Sequence, residues 1–103
     1  MQPTYLPWLG YFELIEKSDV FVIYDSVQFE KQSWQQRNRI RNKDGEIVLI
    51  LPVKYGDGLE RRIKDVEIDY SRNIPKKHLT GILMSYSKTK NFSILFPELE
   101  AIY

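Results

Sequence analysis

The spacing of apolar residues along the chain predicts three helices. In each, apolar side chains recur every three or four positions, which places them on one side of a helix. Thr4 is positioned to cap the first helix, while Pro75 and Pro97 suit the first turns of the other two. The three predicted helices cover residues 5–17, 75–87 and 93–102.

Strand patterns lie between the first and second helices. Residues 20–24 are apolar on both faces, which favours a central strand, and residues 63–69 alternate as a half-exposed strand does. Residues 34–53 form a predicted β-hairpin closed by Asp44 and Gly45, a dipeptide that accepts the positive φ angles of a tight turn. The pattern predicts an α/β or α+β fold with a small mixed sheet.

The hairpin has two chemically different faces. With Asp44 and Gly45 as the turn, Ile40 lies opposite Leu49. One face then carries Trp34, Asn38, Ile40, Leu49 and Leu51. The other carries Arg37, Arg39, Arg41, Val48 and Ile50. Three arginines on one face repel each other unless acidic side chains, solvent or an anionic ligand compensates, and the sequence leaves these explanations open.

Composition narrows the function classes. The 103 residues suit one domain, residues 1–103, and the net charge of +1 gives no general attraction to nucleic acid or membranes. The absence of cysteine excludes disulfides and thiolate chemistry, and the single histidine excludes a multi-histidine metal centre. No apolar run approaches the roughly 20 residues that span a bilayer. We therefore expect a cytoplasmic protein.

Residues 55–58, with two glycines, are a predicted loop.

Candidate chemistry is concentrated in the first forty residues. Polar and aromatic side chains crowd the N-terminus, the end of the predicted strand 20–24 and the start of the hairpin, which is how small-molecule sites are often built. The alternative is a proline-stiffened N-terminus with an ordinary turn. These candidate residues are Gln2, Tyr5, Trp8, Asp25, Gln28, Arg37, Asn38 and Arg39. His78 is a further candidate, although a lone histidine is more often a surface or half-packed residue.

The same residues carry a family resemblance. The stretches MQPTYLPWLGYF, DSVQF and QQRNRIR, with Leu51-Pro52-Val53 and the run from Lys76 to Leu79, resemble the WbqC-like family. Ser26 stands where that family usually has a second aspartate, and Gln36 where it often has asparagine. Family members are about twice as long, so the chain resembles the N-terminal half of a WbqC-like protein.

The resemblance implies a setting in bacterial surface-polysaccharide (O-antigen) biosynthesis. A more distant likeness connects the opening to pantothenate synthetase and the adenylyl-transferase group, where an H-x-G-H motif binds ATP phosphates. Here the corresponding positions hold Pro7-Trp8-Leu9-Gly10, without histidine. The histidines that would stabilise the phosphate charge during a reaction with ATP are therefore absent. We assign no cofactor and keep a nucleotide as a candidate ligand.

These observations support an enzymatic hypothesis. The protein would bind a sugar nucleotide or an activated acyl donor, with Arg37 and Arg39 holding the anionic group. It would be a transferase or ligase that acts on a nucleotide-activated or amino sugar. Asp25 would be the general base and would orient hydroxyl or amine groups together with Gln28. Gln2, Tyr5, Trp8 and Asn38 would complete the binding site, the two aromatic rings stacking on a ring of the ligand.

Two other hypotheses remain. A non-catalytic, truncated module would self-associate through exposed apolar residues of the last helix, giving a homo-oligomer. Alternatively, the arginine face beside Trp34 would bind nucleic acid, but the stripe is short and the near-neutral charge argues against this partner.

Overall fold

The computed structural model describes residues 1–54 and 61–103, and the predicted loop at 55–58 lies outside them. The chain divides into two compact units. The first contains Met1–Asn38 and Ile50–Asp69, and the second contains Arg39–Leu49 and Tyr70–Tyr103. The single domain expected from the chain length stays a prediction.

The elements confirm a small α/β fold with three α-helices and a two-stranded antiparallel sheet. The sheet is the predicted hairpin, with strands β1, Arg37–Asn42, and β2, Gly45–Ile50. Ile40 and Leu49 are buried on its apolar face, as predicted. The small mixed sheet was predicted to include strands at 20–24 and 63–69 as well, but in residues 1–54 and 61–103 no third strand joins these two.

The turn of the hairpin differs from the expected one. Lys43 and Asp44 form the turn, and Gly45 follows it with φ +137°. The N–H of Leu51 donates to the oxygen of Gln36 at 2.7 Å, whereas the predicted pairing placed Leu51 opposite Asn38. This shift of two residues leaves every side chain on its predicted face, because side chains alternate with a period of two.

Two helices complete the second unit. They are α2, Ile74–Tyr86, and α3, Phe92–Ile102, and both confirm the predicted helices. Pro97 lies inside α3 rather than in its first turn. The N–H groups of Ile94 and Leu95 already bond to the oxygen of Asn91, at 3.2 and 3.1 Å, so the helix has begun before the proline.

The first helix is shorter than predicted. It is α1, Leu9–Lys17, and Trp8 rather than Thr4 stands at its N-cap. Leu6 has φ +48°, a left-handed conformation that cannot continue a right-handed helix. On α1, Tyr11 is buried, and its ring meets the edge of the Phe21 ring at a centroid distance of 5.5 Å.

The central strand predicted at residues 20–24 is wrong. This segment belongs to no strand, and Val20 and Val22 are 80% and 64% exposed. The N–H of Tyr24 donates to the oxygen of Met1, and the Met1 amino group donates to the oxygen of Val22, both at 2.8 Å. These two bonds pair Ile23 with Met1 in the parallel sense. Because Met1 is the only residue of the N-terminal segment in this pairing, the pairing cannot bury residues 20–24.

The strand predicted at residues 63–69 is also wrong. Ile63–Asp65 is a short 3₁₀ helix, because the N–H groups of Asp65 and Val66 bond back to residues 62 and 63. Isolated antiparallel bridges flank it, joining Arg62 to Gln28 and Ile68 to Val53. The two ends pair with different segments, so they do not form one strand.

Candidate functional site

In the first unit, hydrogen bonds to the main chain of the N-terminal segment hold this segment in place. The N–H of Tyr5 donates to the oxygen of Trp34 at 3.1 Å. The side-chain amide of Asn38 donates to the oxygens of Tyr5 and Leu6, at 3.2 and 2.6 Å. Asn38 therefore binds two successive carbonyl groups, those of Tyr5 and Leu6. It thereby stabilises the backbone at Leu6, whose φ of +48° is unfavourable for a leucine.

A second connection joins the same two segments. The amide of Gln35 donates to the side-chain oxygen of Gln2 at 3.0 Å, and the Gln35 side-chain oxygen accepts from the N–H of Glu30 at 2.9 Å. Gln36 is buried, and its side-chain oxygen accepts from the N–H of Gln32 at 3.3 Å. The structure thus brings two predicted residues, Gln2 and Tyr5, to Gln35 and to the predicted residue Asn38, each pair being 33 positions apart in sequence.

Arg37 lies beside this junction. Its guanidinium carbon is 5.8 Å from the centroid of the Trp34 ring, within the range of a cation–π contact. Arg37 is half-buried, while Trp34 is 52% exposed. Within residues 1–54 and 61–103, no carboxylate forms an ion pair with Arg37. The guanidinium is therefore oriented by an aromatic ring and is not neutralised by a described acid.

Arg39 has a different environment, in the second unit. Its guanidinium lies 3.3 Å from the carboxylate of Glu46 on the neighbouring strand. Both side chains are largely exposed, so the pair contributes little stability. The two explanations for the arginine face thus apply to different residues. An acidic side chain compensates Arg39, whereas Arg37 keeps the possibility of an anionic ligand.

Trp8 presents an aromatic surface at the start of α1. Its indole is 65% exposed, and its six-membered ring lies directly over Gly10. A Cβ atom at position 10 would overlap that ring, so the absence of a side chain at Gly10 allows this orientation. Trp8 can therefore offer a ring face to a ligand without leaving the protein surface.

Asp25 and Gln28 contact a different part of the first unit. The main-chain oxygen of the half-buried Asp25 accepts from the N–H of Lys64 at 3.0 Å. Gln28 is exposed and pairs with Arg62 through an antiparallel bridge. Asp25 directly follows Tyr24, which bonds to Met1, and this is its connection to the N-terminal segment. The proposed catalytic role of Asp25 stays a prediction.

His78 has a structural environment in the second unit. It is 6% exposed on α2, and the edge of its ring meets the Tyr103 ring at a centroid distance of 6.1 Å. The expectation of a surface or half-packed histidine is corrected by this burial. A buried imidazole packed against an aromatic side chain is explained by packing and needs no role in a reaction.

Sequence reasoning missed two partners of the predicted residues. Gln35 was not a candidate, yet it binds Gln2, and Glu46 was not considered as the partner of Arg39. Spacing carries no signal for the first pair, because its members lie 33 positions apart. The second pair could have been found, since Glu46 alternates with Val48 on the arginine face of the hairpin.

Two negative findings concern the described residues alone. Within 1–54 and 61–103, no three histidine, aspartate or glutamate side chains are grouped as a metal ion would require. No helix in these ranges has the length and apolar character needed to cross a membrane.

Comparison with known proteins agrees with the resemblance in the sequence. The profile of the WbqC-like protein family matches residues 2–103. An uncharacterised protein of Mycobacterium tuberculosis (strain ATCC 25618 / H37Rv), Rv1507c, is 34% identical over 103 residues, which is all of this chain and 44% of that protein. The chain thus spans less than half the length of this curated relative. No solved structure matches. The chain belongs to the WbqC-like protein family.

Proposed function

We propose that the first unit binds a sugar nucleotide, and that it does so in bacterial surface-polysaccharide biosynthesis, the setting with which WbqC-like proteins are associated. The observation that carries the proposal is the environment of Arg37. Its guanidinium packs on the Trp34 ring and pairs with no carboxylate in the described residues. A sugar nucleotide supplies the diphosphate that such a group prefers.

Contact with an aromatic ring makes an arginine a better phosphate ligand. The planar guanidinium has five N–H donors, and a phosphate binds to the edge of this plane through two parallel hydrogen bonds. A ring that restricts the side chain lowers the conformational entropy lost on binding. Arg37 is the first residue of β1, and Trp34 lies three residues before it, so the strand limits the movement of the arginine.

The exposed Trp8 ring provides the second element of the proposed site. Nucleobases and the apolar faces of sugar rings stack on indole surfaces. Trp8 follows the segment that Asn38 holds, two residues after Leu6. The bonds to Tyr5 and Leu6 therefore restrict the position from which the Trp8 ring projects.

The remaining candidates have subordinate roles in this proposal. Gln2 would hold the N-terminal segment through Gln35, and Asn38 would act through Leu6, so both are positioning residues. Asp25 and Gln28 would orient hydroxyl or amine groups of the ligand, with Asp25 as the base if a transfer reaction takes place. Tyr5 would add an aromatic contact. Arg39 is less suited, because Glu46 already compensates its charge.

Ligand-dependent thermal stability tests the proposal. Uridine-, guanosine- and thymidine-diphosphate sugars are added to the chain, and hits are titrated by isothermal calorimetry. We expect one class to raise the melting temperature, since a ligand at a hundredfold excess over its dissociation constant stabilises by about 2.7 kcal/mol. Arg37→Ala should weaken binding roughly ten- to a hundredfold, because a charge-assisted hydrogen bond is lost.

Arg41→Ala is the matched control. Arg41 is an exposed arginine of the same strand, and its substitution removes the same charge from the chain. Binding should be unchanged in this variant. If no sugar nucleotide stabilises the chain, or if Arg41→Ala weakens binding as much as Arg37→Ala, the proposed site is wrong.

A further inference from the structure

Residues 20–24 of the first unit are apolar and exposed, and most of their main-chain groups have no partner. Val20, Val22, Ile23 and Tyr24 are each more than half exposed. Within residues 1–54 and 61–103, the hydrogen bonds of this segment are the two that join it to Met1. Unpaired N–H and C=O groups beside apolar side chains are typical of a strand edge that can pair with another segment.

The two bonds to Met1 fix the direction and register of that pairing. In a parallel pair, a residue donates to the residue before its partner and accepts from the residue after it. Met1 does this around Ile23, because its amino group donates to the oxygen of Val22 and its own oxygen accepts from the N–H of Tyr24, both at 2.8 Å. The Met1 amino group thus takes the place of a strand N–H.

One further step of the same register reaches groups that have no partner. A residue two positions before Met1 would donate to the oxygen of Val20 and accept from the N–H of Val22. Neither group has a hydrogen-bond partner in the described part of the chain, 1–54 and 61–103. The pairing that Met1 begins can therefore be continued on the same edge.

The chain between the two paired segments is of the kind that parallel strands need. Parallel neighbours are joined by a crossover of about a dozen or more residues, usually with a helix. Here the crossover contains α1, Leu9–Lys17, and the buried Tyr11 of this helix packs against the ring of Phe21. The arrangement is that of a β-α-β unit in which Met1 alone stands for the first strand.

We propose that residues 20–24 bind one further β-strand, an apolar polypeptide segment that is joined to Met1 and runs parallel to them. The register selects this occupant. Met1 is already held in the last position of such a strand, so residues attached to its amino group are brought to Val20 and Val22 as an intramolecular partner. The proposal concerns main-chain pairing and does not rest on the sugar-nucleotide site.

A relative in the family is long enough to supply such a segment. The part of the Mycobacterium tuberculosis protein that matches this chain is 44% of its length, so that protein has additional polypeptide. A second copy of this chain is a different occupant, and solution mass distinguishes it from the one proposed.

Adding a segment to the chain tests the proposal. A version with the residues Lys-Thr-Val-Ile-Val before Met1 is compared with the unmodified chain by amide hydrogen exchange and thermal unfolding. Exchange at the Val22 amide should slow at least tenfold, because its N–H gains an acceptor, whereas the Ile23 amide, which faces the other edge in this register, should change little. The melting temperature should rise by about 4–8 °C, since main-chain hydrogen bonds and apolar contacts are added.

The matched control has proline in place of isoleucine in the added segment. It keeps the length and apolar character of the segment but lacks the N–H that would donate to Val20, so it should lose most of both effects. A shorter extension, Val-Ile-Val, offers the same pairing with less apolar surface. It should protect the Val22 amide even if the longer segment causes aggregation.

Three results would overturn the proposal. One is unchanged exchange at Val22 in both extended chains, and another is equal protection of Val22 by the proline control. The third is slow exchange at Val22 in an unmodified chain that sediments as a dimer, because a second copy would then occupy this edge.

Discussion

The side-chain amide of Asn38 donates to the carbonyl oxygen of Leu6 at 2.6 Å, and Leu6 adopts φ +48°. The left-handed conformation costs a leucine roughly 1–2 kcal/mol, so something must hold it. Asn38 does so from β1, with a second bond to the oxygen of Tyr5. A side chain of the hairpin thus determines the backbone path that leads to Trp8.

Removing this amide should loosen the N-terminal segment. For Asn38→Ala we expect a loss of about 1–3 kcal/mol in the free energy of unfolding, because two carbonyl groups lose their donor. Asn38→Asp preserves the size of the side chain but has no N–H donor, and should lose stability as well. Urea denaturation measures both. An Asn38→Asp variant as stable as the unmodified chain would show that the donor is unimportant.

Gly10→Ala should displace the Trp8 ring. The new Cβ would overlap the indole, and since Trp8 is 65% exposed the ring can rotate away. The expected result is a changed chemical shift for the Trp8 indole N–H in a two-dimensional NMR spectrum and weaker binding of any sugar nucleotide. An unchanged indole signal would contradict the observed stacking over Gly10.

Gly81→Ala makes the same change in α2, but here the new Cβ should cause no overlap and should stabilise the protein. A Cβ at Gly81 would meet the Ile40 Cδ1 atom at 4.0 Å, which is an ordinary contact. Alanine is favoured over glycine in a helix, so we expect a gain of roughly 0.5–1 kcal/mol in stability. Thermal unfolding followed by circular dichroism measures this gain. A loss of stability would mean that α2 needs the glycine.

Tyr86→Phe should weaken the outer edge of the hairpin. The Tyr86 hydroxyl accepts a hydrogen bond from the N–H of Arg41 at 2.9 Å. Without it, we expect about 0.5–1.5 kcal/mol lower stability and faster hydrogen exchange at the Arg41 amide. Tyr70→Phe, at a position that is 58% exposed, is the control and should change stability by less than about 0.5 kcal/mol. Equal exchange in all three proteins would rule out this role of the hydroxyl.

The ion pair of Lys54 and Glu67 should produce measurable pKa changes. Their side chains are 3.0 Å apart, and the hydrogen bond and opposite charge lower the pKa of Glu67 and raise that of Lys54. The contribution of Glu67 to stability is therefore present above the ordinary glutamate pKa and is lost as pH falls through the lowered value. That of Lys54 is present below the ordinary lysine pKa and is lost as pH rises through the raised value.

NMR titration of the Glu67 carboxyl carbon tests this pair. Lys54→Met should raise the pKa of Glu67 toward the ordinary value, because the hydrogen bond and the positive charge are both removed. The effect on overall stability should be small, since both side chains are exposed. If Glu67 titrates identically in the two proteins, the pair does not form in solution.

Much of the candidate site was visible in the sequence, but its internal connections were not. Gln2, Tyr5, Arg37 and Asn38 were predicted as one group, and contacts with residues 34–38 involve each of them. The left-handed Leu6 was not predicted, because the bond from Asn38 that supports it spans 32 residues. Local patterns carry no information about such a bond.

The sequence by itself determined the elements whose stability is local. The periodicity of apolar residues identified α2, α3 and both faces of the hairpin, since those patterns depend on neighbours three, four or two positions away. The family was likewise identified from local motifs, chiefly MQPTYLPWLGYF, DSVQF and QQRNRIR. These features need no knowledge of distant partners.

Only the tertiary structure decided the rest. Residues 20–24 have the composition of a central strand, but a strand forms through its neighbours, and Met1 provides a single pairing residue. Residues 63–69 pair with two different segments and so turn between them. Arg37 and Arg39 are equivalent by alternation, yet one meets Trp34 and the other Glu46. In each case the outcome depends on which distant groups the folded chain brings together.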